Sequence, residues 1–304
     1  MIERLLVVGT GLMGGSVAAA ARAHGRARAI WGVDPVHAQA AVDLGLVDRG
    51  FVSLAQALEA IGQAHSAAQL QTAVVLAAPV SVLPSLLGPL ADHHLQYPWT
   101  WLTEIGSTKG PVVEGMDRLL ADASRSEETR MFFARAFVPS HPMAGAEHNG
   151  PQAAHADLFR RARVLISPLA SSGEEAVAEV EAFWAGLGAI PSQLPIQDHD
   201  PLLAAISHFP HLLAYGLAGM LATSASATAA QSLYGGGLRD TTRIAASSAE
   251  LWADILLQNR QSVLDLIPQW NLSFVEITQA LDTQDRQALV AALDRGAQWR
   301  RGFR

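Results

Sequence analysis

The chemistry in this chain begins with glycines. Gly9, Gly11 and Gly14 stand in Gly9-Thr10-Gly11-Leu12-Met13-Gly14, directly after the apolar run "LLVV" and before an alanine-rich stretch. That spacing is the dinucleotide fingerprint when a strand precedes it and a helix follows. The first glycine allows a tight turn, the second lets backbone approach a pyrophosphate, and the third lets helix and strand pack closely. The helix start then offers its unpaired N–H groups, including those near Leu12 and Met13, to phosphate oxygens. Asp34 closes the next apolar run, 20 residues after Gly14. A carboxylate there accepts hydrogen bonds from ribose hydroxyls and repels a 2′-phosphate, so NAD is expected and NADP is less favoured. An ordinary turn residue at a strand end is the other reading of Asp34.

A dinucleotide that accepts hydride needs a base for the proton left behind. His141, in "SHPMAGAEHNG", suits that task near neutral pH. A histidine bonded to backbone at a strand end is its bland alternative. Ser107 and Lys109, in "GSTK", end another apolar run, and Ala78 and Pro79 end a third with small residues that can lie beside a nicotinamide ribose. In open α/β sheets ligands sit beyond such carboxyl ends. Lys109 either orients substrate or cofactor, or is a solvated turn residue. It is also the only lysine, against twenty arginines. Glu147 either guards the pocket entrance or is simply exposed.

The later part of the chain supplies a second polar set. His208 and His211 in "SHFPH" share a helical face if the helix survives Pro210. They line a substrate pocket or are satisfied core histidines. No acidic partner at helical spacing accompanies them, and no metal site is expected. Arg239 and Arg243 stand four apart after a glycine triplet, which suits a carboxylate-bearing substrate. The alternative is an ion pair with Asp240.

These residues need elements to hold them. The first half alternates strand-like runs ("LLVVGTG", "ARAIWGVD", "TAVVLAAP", "WTWLTEIGSTKG", "RAFVPSHPMAG", "RARVLISP", "AIPSQLP") with helical stretches. That alternation reads as a parallel α/β sheet. Gly173 to Gly188 reads as a helix with an acidic first turn. From about Asp198 the pattern is helical only: Leu202 to Met220, Ala249 to Leu266, and Gln284 to Gln298. "SSAE" at Ser247 to Glu250 reads as a capping box. The expected architecture is a Rossmann-type dinucleotide-binding domain, residues 1–197, followed by an all-helical substrate and dimerisation domain, residues 198–304. Leu202 to Met220 is long enough to span a membrane. Its two histidines and proline favour a buried core helix instead.

Composition narrows the class. The chain has 304 residues, half of them hydrophobic, a formal charge of -7 and no cysteine. Disulfides and thiolate metal sites are excluded. No basic stripe recommends a nucleic-acid surface. With no leader-like start, a cytoplasmic protein without a membrane role is expected.

Taken together, "VVGTGLMGGS", "GSTKG", "SHPMAGAEHNG", "HDPLLAAISHFPHLLAYGLA" and "RDTTRIAASSAELWADILLQNR" closely resemble the prephenate/arogenate (cyclohexadienyl) dehydrogenases of tyrosine biosynthesis. The pieces occur in family order and span most of the chain. The resemblance implies oxidative decarboxylation of a cyclohexadiene bearing a 4-hydroxyl and a ring carboxylate. His141 matches the catalytic histidine, and Ser107 a serine that sets that histidine and the nicotinamide. Arg243 matches a carboxylate-binding arginine, and His211 and Glu147 match pocket positions. A homodimer joined through the helical domains is implied. The sequence departs from the family pattern at Ala146, where serine or threonine is frequent, and at Glu104, where aspartate often stands. No regulatory or chorismate mutase segment is expected, and feedback inhibition by tyrosine at the active site is left as a hypothesis. Rival readings are a short-chain 3-hydroxyacid dehydrogenase and a non-catalytic NAD sensor. The first uses a lysine in its helical half, and none follows Lys109 here.

Overall fold

The computed structural model describes residues 1–68, 71–94, 96–145 and 148–303. Five strands, β1 (Ile2–Val8), β2 (Ala27–Val33), β3 (Arg49–Phe51), β4 (Thr72–Leu76) and β5 (Trp99–Glu104), form an all-parallel sheet in the order β3-β2-β1-β4-β5. The helices α1 (Leu12–Ala23), α2 (Ala38–Asp43), α3 (Leu54–Ala68) and α4 (Leu83–His94) connect them. Both faces of the sheet are covered, as parallel sheets require. On β1, Leu5 and Val7 enter one core with Val17, Phe183 and Trp184, while Leu6 and Val8 enter the other with Ile61, Leu83 and Phe133. The chain order reverses between β1 and β4, so the ligand crevice opens at their carboxyl ends.

After α5 (Gly110–Ala121) and α6 (Glu127–Ala136) the sheet does not continue as one piece. β6 (Ser140–Pro142), β7 (Arg163–Ile166) and β8 (Ile190–Gln193) form a separate three-stranded sheet, with α7 (Glu174–Gly186) between the last two. β6 runs antiparallel to β7. The expectation of one parallel sheet therefore holds for five strands only. A bridge from Leu102 to Phe137, just before β6, and the Ser140–Thr103 hydroxyl pair tie the small sheet to β5.

From Ile196 onward the described chain is helical: α8 (Ile196–Leu203), α9 (Phe209–Ala222), α10 (Ala227–Leu233), α11 (Gly236–Thr242), α12 (Ala249–Gln258), α13 (Arg260–Asp282) and α14 (Arg286–Arg301). Leu202 to Met220 is not the single buried core helix expected. A five-residue π-helical turn, Ala204–His208, separates α8 from α9. Pro210 then falls in the first turn of α9, where its missing N–H costs nothing. Only Leu203, Ala204, His208 and Ala214 of that stretch are buried, because its outer face finds no partner within the chain. The cap of α12 is Ser248, which accepts from Leu251 N, rather than Ser247. Ala249 to Leu266 is likewise two helices, broken at Asn259.

Candidate active site at the junction of the two halves

The glycine loop fits a dinucleotide. Gly9 has φ +93°, and a Cβ there would lie 2.5 Å from the Ala77 carbonyl oxygen, so the turn is pressed against the end of β4. A Cβ on Gly14 would meet the Gly9 carbonyl oxygen at 1.8 Å. Gly11 faces open space, and as the N-cap of α1 it provides no side-chain partner for the first-turn N–H groups. That leaves a cradle of donors around Leu12 and Met13 for phosphate oxygens. Gly15, by contrast, is small because Ala154 packs on it.

Asp34 is buried at the end of β2. Its Oδ2 accepts from Thr10 N at 2.8 Å, and Oδ1 accepts from Val36 N at 2.9 Å and His37 N at 2.8 Å. Burial opposes its ionisation, but the N–H groups of His37, Val36 and Thr10 outweigh that and hold the carboxyl below the ordinary range. An ionised Asp34 thus stands beside the glycine loop. Ala78 and Pro79 follow the end of β4, Ala78 half-buried and Pro79 exposed.

The turn after β5 is clamped from below. Lys109 is 1% exposed, and its Nζ donates to Gly106 O at 2.7 Å and Ser140 O at 2.9 Å. Nζ also makes a close ion contact with Glu104 Oε1, at 2.7 Å. Lys109 is therefore neither a solvated turn residue nor an ammonium presented to a ligand. Its charge is spent in fixing the Gly106 turn, which carries half-buried Ser107, and the strand that carries His141. Glu104 Oε2 accepts from Gly106 N at 2.7 Å. Burial pushes the Glu104 carboxyl up, against the pull of Lys109 and Gly106 N. The Ser140 hydroxyl pairs with Thr103 Oγ1 at 2.7 Å and accepts from Trp184 Nε1 at 3.2 Å.

His141 is therefore held on a rigid strand, and its side chain reaches across to the helical half. His141 Nδ1 lies 3.0 Å from His199 Nε2, and His199 Nδ1 lies 2.7 Å from Asp200 Oδ1. Asp200 Oδ1 also accepts from Lys109 N at 2.8 Å, and its Oδ2 accepts from Gly110 N at 2.8 Å, at the N-terminus of α5. Burial, with smaller contributions from Lys109, His199 and His208, holds His141 neutral, well below the ordinary imidazole range. Burial also lowers His199, although Asp200 opposes the shift. For Asp200 the penalty of burial is overcome by His199 and the two N–H groups, and its carboxyl stays below the ordinary range.

The helical half faces this centre with aromatic and cationic groups. His211 stacks on Trp252 with ring centroids 3.5 Å apart, and His208 meets the same ring edge-on at 6.1 Å. His211 Nδ1 donates to Ser207 O at 2.8 Å. Burial lowers His211 despite that bond, and nearby Arg243 lowers it further. His208 is fully enclosed, and Asn259 Nδ2 bonds both His208 Nδ1, at 3.0 Å, and Asp200 O, at 2.7 Å. Arg239, on α11, is exposed and pairs with Asp240 at 3.3 Å, while Arg243 opens a short 3-10 turn after that helix. Glu147 and Ala146 lie outside the described residues. No cluster with metal-holding geometry occurs among the described residues.

His199, Asp200, Trp252 and Asn259 were not singled out from sequence. His199 and Asp200 stand in the proline-flanked polar run "PIQDHDP", which reads as a joint between domains. The signal that could have found them is a His-Asp pair immediately before an apolar helix.

A neutral imidazole beside a dinucleotide cradle, set where a Rossmann-type half meets a helical half, is the equipment of a nicotinamide-dependent dehydrogenase. Its reaction class is defined by relatives. The sequence models for the prephenate dehydrogenase nucleotide-binding domain and dimerization domain match residues 17–191 and 195–295. The prephenate dehydrogenase of Bacillus subtilis (strain 168) is 31% identical over 312 aligned residues, spanning 100% of this chain and 76% of the relative. The cyclohexadienyl dehydrogenase of Zymomonas mobilis is 36% identical over 155 residues, 50% of this chain and 53% of the relative. The crystal structure of Aquifex aeolicus prephenate dehydrogenase with hydroxyphenyl propionate and NAD+ superposes with a TM-score of 0.81 at 26% identity, covering 99% of this chain and 98% of that one. The chain belongs to the prephenate dehydrogenase family. It is an NAD-dependent oxidoreductase of tyrosine biosynthesis.

Proposed function

We propose that this chain oxidises prephenate, arogenate or both at C4, with His141 as the base that receives the 4-hydroxyl proton. The observation that carries this is a buried, neutral His141 on the strand-bearing half whose ring meets His199 of the helical half. NAD supplies the hydride acceptor, held by Gly9, Gly11, Gly14, Asp34 and the Ala78–Pro79 edge. As the C4–H pair leaves, the hydroxyl O–H bond breaks and the proton moves to His141. The electrons of the C1–carboxylate bond then enter the ring as carbon dioxide departs, and the resulting phenolate takes the proton back. Aromatisation makes the sequence irreversible, so positioning is most of the protein's task.

Within this reading Arg243 binds a substrate carboxylate, His211 lines the pocket with the enclosed His208 behind it on Asn259, and Ser107 sets the nicotinamide against His141. Glu147 keeps the entrance position implied by the resemblance. Lys109 acts through Gly106 and Ser140, and Arg239 takes no part. The division at 197/198 places the cofactor in one part and the substrate-binding cations in the other. A homodimer through the helical half is inferred from its bare apolar side chains: Leu233, Leu272, Val275 and Trp299 are each more than half exposed. Such surface is unusual on a monomer. A cytoplasmic location without membrane insertion fits the same reading, since the apolar stretch Ile196–Ala222 carries His199, Asp200, His208 and His211.

The test is absorbance at 340 nm, crossing prephenate and L-arogenate with NAD and NADP. Turnover of either diene with NAD is expected, and it identifies the substrate. Folded, NAD-binding protein that turns over neither diene would sink the proposal.

A further inference from the structure

The base reading of His141 leaves a question of proton placement. A neutral imidazole has one N–H, and only the other nitrogen can accept the substrate proton. The structure offers a chain of contacts that decides which. Asp200 accepts from Lys109 N and Gly110 N and is held ionised, so it cannot donate. His199 Nδ1, 2.7 Å away, must therefore carry its proton. Its Nε2 is then a lone pair, and His141 Nδ1, at 3.0 Å, must be the donor to it. The lone pair of His141 then falls on Nε2, the ring nitrogen that is not turned to His199.

We propose that His199 and Asp200 are positioning residues that hold His141 in its Nδ1–H tautomer and leave Nε2 as the proton acceptor. The proposal rests on the reading of His141 as the base. A carboxylate acting through a ring N–H is the device that orients the histidine of hydrolase triads. Here a second imidazole extends it by one link. When Nε2 takes the hydroxyl proton, the positive charge rests on an imidazolium whose Nδ1–H is already bonded to His199, with the Asp200 carboxylate beyond. The charged and titratable neighbours are Lys109 with its partner Glu104, Asp200, and the neutral imidazoles of His199 and His208. Lys109 opposes the imidazolium, so the Asp200 charge is the compensating one.

The relay also crosses the two halves of the molecule. His141 lies on β6, while His199 and Asp200 lie on α8. The same Asp200 oxygens cap α5, directly after the turn that bears Ser107. Docking of α8 thus orients the base and pins the Ser107 turn in one contact.

The experiment has two arms. In the first, histidine-15N-labelled wild-type protein with NAD bound is examined by NMR, and His141→Asn identifies the His141 ring signals. A protonated Nδ1 and an unprotonated Nε2 are expected; the reverse tautomer, or an averaged pair, overturns the proposal whether or not the family chemistry holds. In the second arm, His199→Leu should lower kcat by about 10²-fold or more while substrate KM and NAD affinity change less than about threefold. His199→Gln, whose amide oxygen can accept from Nδ1–H, should recover at least about tenfold of that loss. Equal losses in Leu and Gln variants that both fold, or losses confined to KM, would mean that His199 serves packing alone. If the wild type fails to turn over while the Nδ1–H tautomer is present, the base reading fails and the relay stands.

Discussion

At the scale of single residues, Asp34 separates legibility from detail. Its place at the end of the second strand was plain from spacing. Its three backbone partners were not, because Val36 and His37 reach it through a turn that curls back on the carboxylate and Thr10 reaches it from the glycine loop. Asp34→Ser should lower kcat/KM with NAD by about tenfold and shrink the discrimination against NADP, since the repulsive charge is gone. Steady-state rates with both cofactors check this, and unchanged discrimination would remove Asp34 from that role. Lys109 teaches the opposite lesson. Sequence placed it in the right turn but left its side chain open to ligand or solvent. The structure turns it inward onto Glu104, Gly106 and Ser140. Losing its charge leaves the buried Glu104 without its cation, with only Gly106 N to meet it, so Lys109→Met should destabilise the protein by about 3–5 kcal/mol. A denaturation midpoint like that of the wild type would contradict that.

At the scale of elements, period and punctuation identified β1, α1, β2, β4 and β5 because each is an apolar run closed by a turn. They did not reveal β3, which is three residues long and has two exposed positions. Nor did they show that β6 leaves the parallel sheet, because pairing direction is set by long-range packing rather than by local pattern. The helical half was legible as helical, but its breaks were not. The break at Asn259 has a physical cause: its side chain turns back to bond Asp200 O and His208 Nδ1. Asn259→Ala should cost about 1–3 kcal/mol by leaving those buried acceptors unmet. Urea unfolding measures it, and a cost near zero would show the bonds to be incidental.

At the scale of the whole molecule, two enclosed histidines link stability to pH. Burial is the main cause that lowers His94, in α4, and His208, in the π turn, to about 4. The unfolded chain holds these imidazoles near 6.5, so it binds more protons than the folded chain between pH 4 and 6.5. Their contribution is complete above pH 6.5 and falls as pH drops towards 4, by up to about 3 kcal/mol each. The urea midpoint should therefore drop between pH 7 and pH 5, and less so in His94→Leu. Equal drops in both proteins would remove His94 from the account. The helical half adds the assembly term. Its exposed apolar groups could be counted from sequence only as hydrophobic content, since which side chains lack cover is a tertiary fact. Light scattering should give twice the mass of the 32.2 kDa chain.

The most direct test compares wild type and His141→Asn with the preferred diene and NAD at 340 nm, with NAD affinity measured by binding fluorescence. A fall in kcat of about 10²-fold or more, with NAD affinity unchanged, is predicted for loss of the base. Turnover within a few-fold of wild type would mean that the proton leaves by another route, and the centre described here would not be the seat of the chemistry.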